Sequence, residues 1–186
     1  MNDGGQKGPK LKLQEIFEAA ETRGTYAAVK FDEDTKDAIL EYIKEHDIPN
    51  PISRDKMHCT VLYSRKYCPD YEPLGKIDPP WIGEPTKFEV WESRGKLRDE
   101  EPKRCLVLKF KCDKLNERHK ELMDEHDATY DFPEYKTHIT LSYDIGDMDE
   151  TKLPDIHKFL DVIKIVEEYG EDLDLDWAKN NAKKDD

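Results

Sequence analysis

The chain has 186 residues, with 39% charged and 36% hydrophobic side chains and a formal net charge of −13. That length suits one domain with a real but lean core, and no apolar run approaches the length of a membrane span. A polyanion-wide basic face is excluded by the charge, so long nucleic acid is a poor partner, and any phosphate-bearing substrate has to be small and held locally.

The segment 1–23 reads as a leader followed by a short helix. Residues 1–12 carry no apolar h-region, which excludes a secretory signal. Leu13, Ile16, Phe17 and Ala20 have helical spacing. Tyr26 to Phe31 reads as a strand, and Asp32 or Asp34 can cap a helix over 35–45 with Ala38, Ile39, Tyr42 and Ile43 on one face. A strand from Met57 to Ser64 follows. The proline-bearing stretch 65–86 reads as a long irregular loop, and Lys87 to Ser93 as an alternating strand. After a charged connector the pattern restarts: a strand over Arg104 to Lys111, a helix capped by Asp113, a strand over Lys136 to Asp144, a short helix near 155–160, and a strand over Val162 to Glu168 closed by Tyr169-Gly170. The tail 171–186 is acidic but contains Trp177. The four cysteines, Cys59, Cys68, Cys105 and Cys112, form no Cys-x-x-Cys pair, which points to reduced thiols and no zinc site.

One stretch occurs twice. Lys56-Met57-His58-Cys59-Thr60-Val61-Leu62-Tyr63 is answered 80 residues on by Lys136-Thr137-His138-Ile139-Thr140-Leu141-Ser142-Tyr143. The register also holds upstream, where Glu45-His46-Asp47 answers Glu125-His126-Asp127. An internal duplication of β-α-β-β units follows, about 24–95 and 104–170, within one α+β domain over 24–170. Packed by a pseudo-twofold, the antiparallel halves would make two sheets, or one bent sheet, lining a central groove with helices outside.

Strand side chains alternate faces. On that rule His58 and Thr60 share one face, and His138, Thr140 and Ser142 share another. Met57, Cys59, Val61, Ile139 and Leu141 pack away from them. The same rule turns Tyr26, Ala28, Lys30 and Trp91 toward the groove. His46, His119, His126 and His157 lack a threonine partner and read as solvated.

Two imidazoles facing one site can divide general-base and general-acid work near neutral pH. At a ribonucleotide 3′–5′ linkage, one takes the 2′-OH proton and the other protonates the departing 5′-oxygen. The threonine hydroxyls hold the non-bridging oxygens. This chemistry needs no metal or other cofactor, and no ligand set of Asp, His and Glu is visible.

With His58-Cys59-Thr60-Val61 and His138-Ile139-Thr140-Leu141 as its paired motifs, the chain resembles the 2H phosphoesterase superfamily. More closely, it is similar to the anti-CBASS proteins of tailed phages, from Glu18-Ala19-Ala20-Glu21-Thr22-Arg23-Gly24-Thr25-Tyr26 through the two motifs to Glu171-Asp172-Leu173-Asp174-Leu175-Asp176-Trp177. The resemblance implies cleavage of cyclic di- and trinucleotide signals to linear products in the cytoplasm of an infected bacterium. His58, Thr60, His138 and Thr140 would be catalytic, with Tyr26, Lys30, Trp91, Glu171 and Trp177 on the substrate. The tail 171–186 would then fold over the groove as a lid, with Trp177 stacking and Glu171 accepting from a base edge, or else anchor on the flank. Alternatives are a 2H enzyme opening RNA 2′,3′-cyclic phosphates and a non-catalytic nucleotide sponge.

Overall fold

The computed structural model describes residues 23–93 and 101–175. The expected helix over 11–20 and Trp177 lie outside them. Six strands and two helices alternate in the order β1 (Arg23–Phe31), α1 (Glu33–Glu45), β2 (Cys59–Ser64), β3 (Gly75–Ser93), β4 (Lys103–Lys111), α2 (Asp113–His126), β5 (His138–Ser142) and β6 (Ile163–Asp174). The strands form one antiparallel sheet ordered β2-β1-β6-β3-β4-β5. No described helix is long and apolar enough to cross a membrane.

Both helices form for local reasons. Asp32 caps α1, its carboxylate accepting from the Thr35 N–H at 2.9 Å. Glu33 and Asp34 in the first turn and Lys44 in the last complement the helix dipole. Ile39, Tyr42 and Ile43 are its buried stripe. For α2 the cap residue is Cys112, not Asp113, and it makes no side-chain cap bond. Leu115 and Leu122 are fully buried against the sheet, together with Phe31, Leu106 and Leu108.

The region expected to be irregular up to residue 86 is strand from Gly75 onward. Its prolines are tolerated at irregularities in the ladder: the register shift between Lys76 and Trp81 passes over Pro79 and Pro80, and Pro85, opposite Phe110, borders the shift that passes over Thr86. The last strand also runs further than expected. It passes through Gly170 to Asp174 and pairs with β1 from Ile165 onward. Glycine at 170 serves packing, since a Cβ there would stand 2.6 Å from the Tyr71 ring. That ring crosses the strand to place its hydroxyl 3.0 Å from Glu168. Glu168 is fully buried and takes a bidentate grip from Arg118 of α2, Nε to Oε1 at 2.7 Å and Nη2 to Oε2 at 2.9 Å.

Candidate active site

The two repeated stretches form the outermost strands of the sheet, β2 and β5. Both carry a β-bulge at the same motif position. On β2, Ala28 pairs Thr60 and Ala27 pairs Leu62, so Val61 is the extra residue. On β5, Val107 pairs Thr140 and Leu106 pairs Ser142, so Leu141 is extra. A bulge resets the side-chain alternation. Val61 and Leu62 are therefore both buried, as are Leu141 and Ser142, and the next residues, Tyr63 and Tyr143, are exposed. Ser142, expected on the groove face, turns inward instead and donates to the Pro49 carbonyl at 2.6 Å. Simple alternation misses Tyr63 and Tyr143. The available signal was the apolar pair Val61-Leu62 breaking the period of two.

The imidazoles are set identically. His58 Nδ1 lies 2.7 Å from the Lys56 carbonyl, and His138 Nδ1 lies 2.8 Å from the Lys136 carbonyl. A carbonyl only accepts, so Nδ1 carries the hydrogen in both rings and Nε2 is the nitrogen left to exchange protons. The pKa of His138 is lowered, chiefly by burial, and further by the charges of His58 and Lys109 against the opposing Lys136 carbonyl. The two histidines thus feel each other. The Trp91 ring sits 4.4 Å from His138, and its Nε1 donates to Glu89 at 2.8 Å. Lys136 Nζ stands 5.9 Å from the same indole. On the other side, Tyr26 lies 6.4 Å from His58 and 6.2 Å from Tyr63, edge-on in both cases.

Each threonine has a tyrosine beside it. Tyr26 Oη and Thr60 Oγ1 are hydrogen-bonded at 3.0 Å, and the Tyr143 hydroxyl interacts with the Thr140 side chain. Desolvation of the hydroxyl raises the pKa of both phenols, although the Tyr143 ring is half exposed, so they stay protonated. The charges of Tyr169 and Tyr143 add to the rise at Tyr26, and that of Tyr143 to the rise at Tyr169.

Of the remaining expected contacts, Lys30 Nζ is 3.4 Å from Glu167 and 5.0 Å from the Tyr169 ring centroid. Glu171 stands opposite Tyr26 in the β1–β6 ladder, as part of β6 rather than of a free tail. Trp177 is beyond the described residues. His119 is not solvated as expected. It is half-buried, its Nδ1 is 2.6 Å from the Val61 carbonyl, and its ring stacks on Tyr135 at 4.3 Å. Among the described residues no three His, Cys, Asp or Glu side chains gather as a metal site. Cys59 is buried, with its thiol pushed up to about 12 by desolvation, so it packs rather than attacks.

An antiparallel α+β domain with two oriented imidazoles, each followed by a threonine on an outer strand, defines a paired-histidine site. Comparison with known proteins gives that class a family. The profile described as Anti-CBASS protein Acb1 matches residues 23–180, and the chain belongs to this family. The Anti-CBASS protein Acb1 of Acinetobacter phage Ac42 is 41% identical over 167 residues, covering 90% of this chain and 99% of that protein. Its counterpart in Vibrio phage KVP40 is 33% identical, covering 92% and 99%. That of Enterobacteria phage T4 is 35% identical, covering 83% and 91%.

Proposed function

We propose that this chain hydrolyses 3′–5′ phosphodiester bonds in cyclic di- and trinucleotides, in the cytoplasm of the infected host, and so counters CBASS defence. The observation that carries the reading is the pair of imidazoles, each held by the carbonyl two residues upstream with Nε2 free, within electrostatic reach of one another. Relatives named as anti-CBASS proteins along nearly their whole length support the biological setting.

His138, kept neutral by burial, is the general base, and its Nε2 accepts the 2′-OH proton. The 2′-oxygen attacks phosphorus, the bond to the 5′-oxygen breaks, and His58 Nε2–H protonates the leaving oxygen. A 2′,3′-cyclic phosphate results. Water then enters with the roles reversed and leaves a linear product. Thr60 and Thr140, with Tyr26 and Tyr143 behind them, donate to the non-bridging oxygens as charge grows there. Lys30, Lys109 and Lys136 supply local positive charge to a chain of net charge −13. Tyr26 and Trp91 offer faces on which bases stack with little regard to base identity. Glu171 and Trp177 are assigned to the base edge and to closure of the groove.

A duplicated 2H-type arrangement is part of this reading. Exchanging β1 with β4, β2 with β5 and β3 with β6 turns the sheet order into its own reverse, and the two bulges and two carbonyl-held histidines exchange with it. The test is incubation with a 3′,3′-cyclic dinucleotide in EDTA, for the wild type and for His58→Ala and His138→Ala. Linear product lost in both variants is expected. Intact nucleotide recovered after heat denaturation would identify a sponge, and cleavage of a 2′-deoxy substrate would overturn the 2′-OH mechanism.

A further inference from the structure

The two edge strands of the site are held from outside by different chemistry. On β5, the bulged Leu141 carbonyl accepts from the Ile52 N–H at 2.8 Å, and Pro51 forms a bridge with Ser142. That clamp is backbone. On β2, the bulged Val61 carbonyl lies 2.6 Å from His119 Nδ1, and the preceding Thr60 carbonyl accepts from the Tyr135 hydroxyl at 2.7 Å. A regular strand points consecutive carbonyls to opposite sides. Here both are taken by side chains that stack on each other at 4.3 Å and 16°. Burial lowers the proton affinity of His119. A carbonyl partner makes Nδ1 the donor, so the neutral ring delivers its single hydrogen to Val61.

We infer that His119, braced by Tyr135, is a positioning residue for the first limb of the site. Its Nδ1–H fixes the Val61 bulge, and the bulge is what directs Thr60 and Tyr63 to the same side. His119 and Tyr135 reach β2 through its backbone carbonyls, so their action is through the strand. The inference rests on the hydrolase reading for its kinetic readout but not for its structural one.

The test compares His119→Asn, His119→Gln, His119→Leu and Tyr135→Phe, using turnover of a 3′,3′-cyclic dinucleotide and amide hydrogen exchange along residues 59–64. An asparagine amide nitrogen can stand where Nδ1 stands; a glutamine amide cannot. His119→Leu and His119→Gln should lower kcat about tenfold, the scale of one lost hydrogen bond to a buried carbonyl, with KM within about twofold and faster exchange in β2. His119→Asn should recover most of both. Tyr135→Phe should show a smaller loss in the same direction. Equal losses in Asn, Gln and Leu that track thermal stability would make the role merely structural and overturn the inference. So would unchanged exchange and unchanged kcat in His119→Leu. If the wild type turns over no cyclic nucleotide, the hydrolase reading fails, and the exchange pattern alone decides the role of His119.

Discussion

Removing the Arg118 side chain as Arg118→Met should be among the costliest single changes in the protein. Glu168 is 1% exposed and Arg118 is 7% exposed. The carboxylate accepts from Arg118 Nε and Nη2, from the Tyr71 hydroxyl at 3.0 Å and from the Leu74 N–H at 3.0 Å. The methionine variant leaves a buried charge with two neutral donors and no bidentate cation. Breaking one side of such a pair costs about 3–5 kcal/mol, a large share of the roughly 10–15 kcal/mol that holds a domain of this size together. Replacing both partners, as Arg118→Met/Glu168→Leu, removes the charge as well as its counterion and should recover much of the loss, leaving chiefly the donors of Tyr71 and Leu74 unmet, at about 1–3 kcal/mol each. Urea denaturation of the wild type, the single variant and the double variant measures this directly. A double variant that is less stable than the single by the full cost of a second deletion would refute the idea that an uncompensated charge dominates. Nucleotide cleavage by the folded double variant should stay near wild type, because Glu168 faces α2 and not the histidines.

Three further outcomes follow from the site. The acid limb of the kcat/KM profile for cyclic dinucleotide cleavage should fall below the ordinary histidine value of about 6.5, since burial lowers His138; Trp91→Ala, by wetting that ring, should move the limb upward, and an unmoved limb would exclude the indole as the cause. Tyr26→Phe, which removes the 3.0 Å bond to Thr60, should lower kcat/KM by about 2–10-fold, one neutral hydrogen bond's worth, without altering the fold. Stability should decline in acid: with His119 and His138 both lowered in the folded state, the unfolded chain binds protons first, so their contribution is whole above about pH 6.5 and is lost as pH falls through the folded values. Urea midpoints at pH 7.5 and 5 check this, and His119→Asn should flatten the dependence.

Much of this was readable in the residues. The 80-residue repeat points to the two strands that begin at or just after the histidines, and Asp32 with Ile39, Tyr42 and Ile43 gives the cap and stripe of α1. What escaped was long-range or stereochemical. Periodicity sees pairs of neighbours, whereas a bulge is a relation between two strands, so alternation alone puts Ser142 on the wrong face and does not find Tyr63 and Tyr143. Prolines usually argue against strand, but the ladder's register shifts accommodate Pro79, Pro80 and Pro85. His119 looked like any helical surface histidine, because the Val61 carbonyl it meets lies 58 residues away.

The central place of β6 has a consequence for synthesis on the ribosome. β1 carries Tyr26 and forms the inner neighbour of β2, yet its other edge is covered by β6 from Phe31 opposite Ile165 to Arg23 opposite Asp174. Among the described strands, the first made must therefore wait for the last. Until residue 174 has cleared the exit tunnel, β1 presents an open edge, and the nascent polypeptide has no complete groove. The protein's activity should switch on after chain completion rather than accumulate as the chain grows, and a break in the connector between Ser93 and Lys103 should yield fragments that are inactive singly and regain function only when mixed.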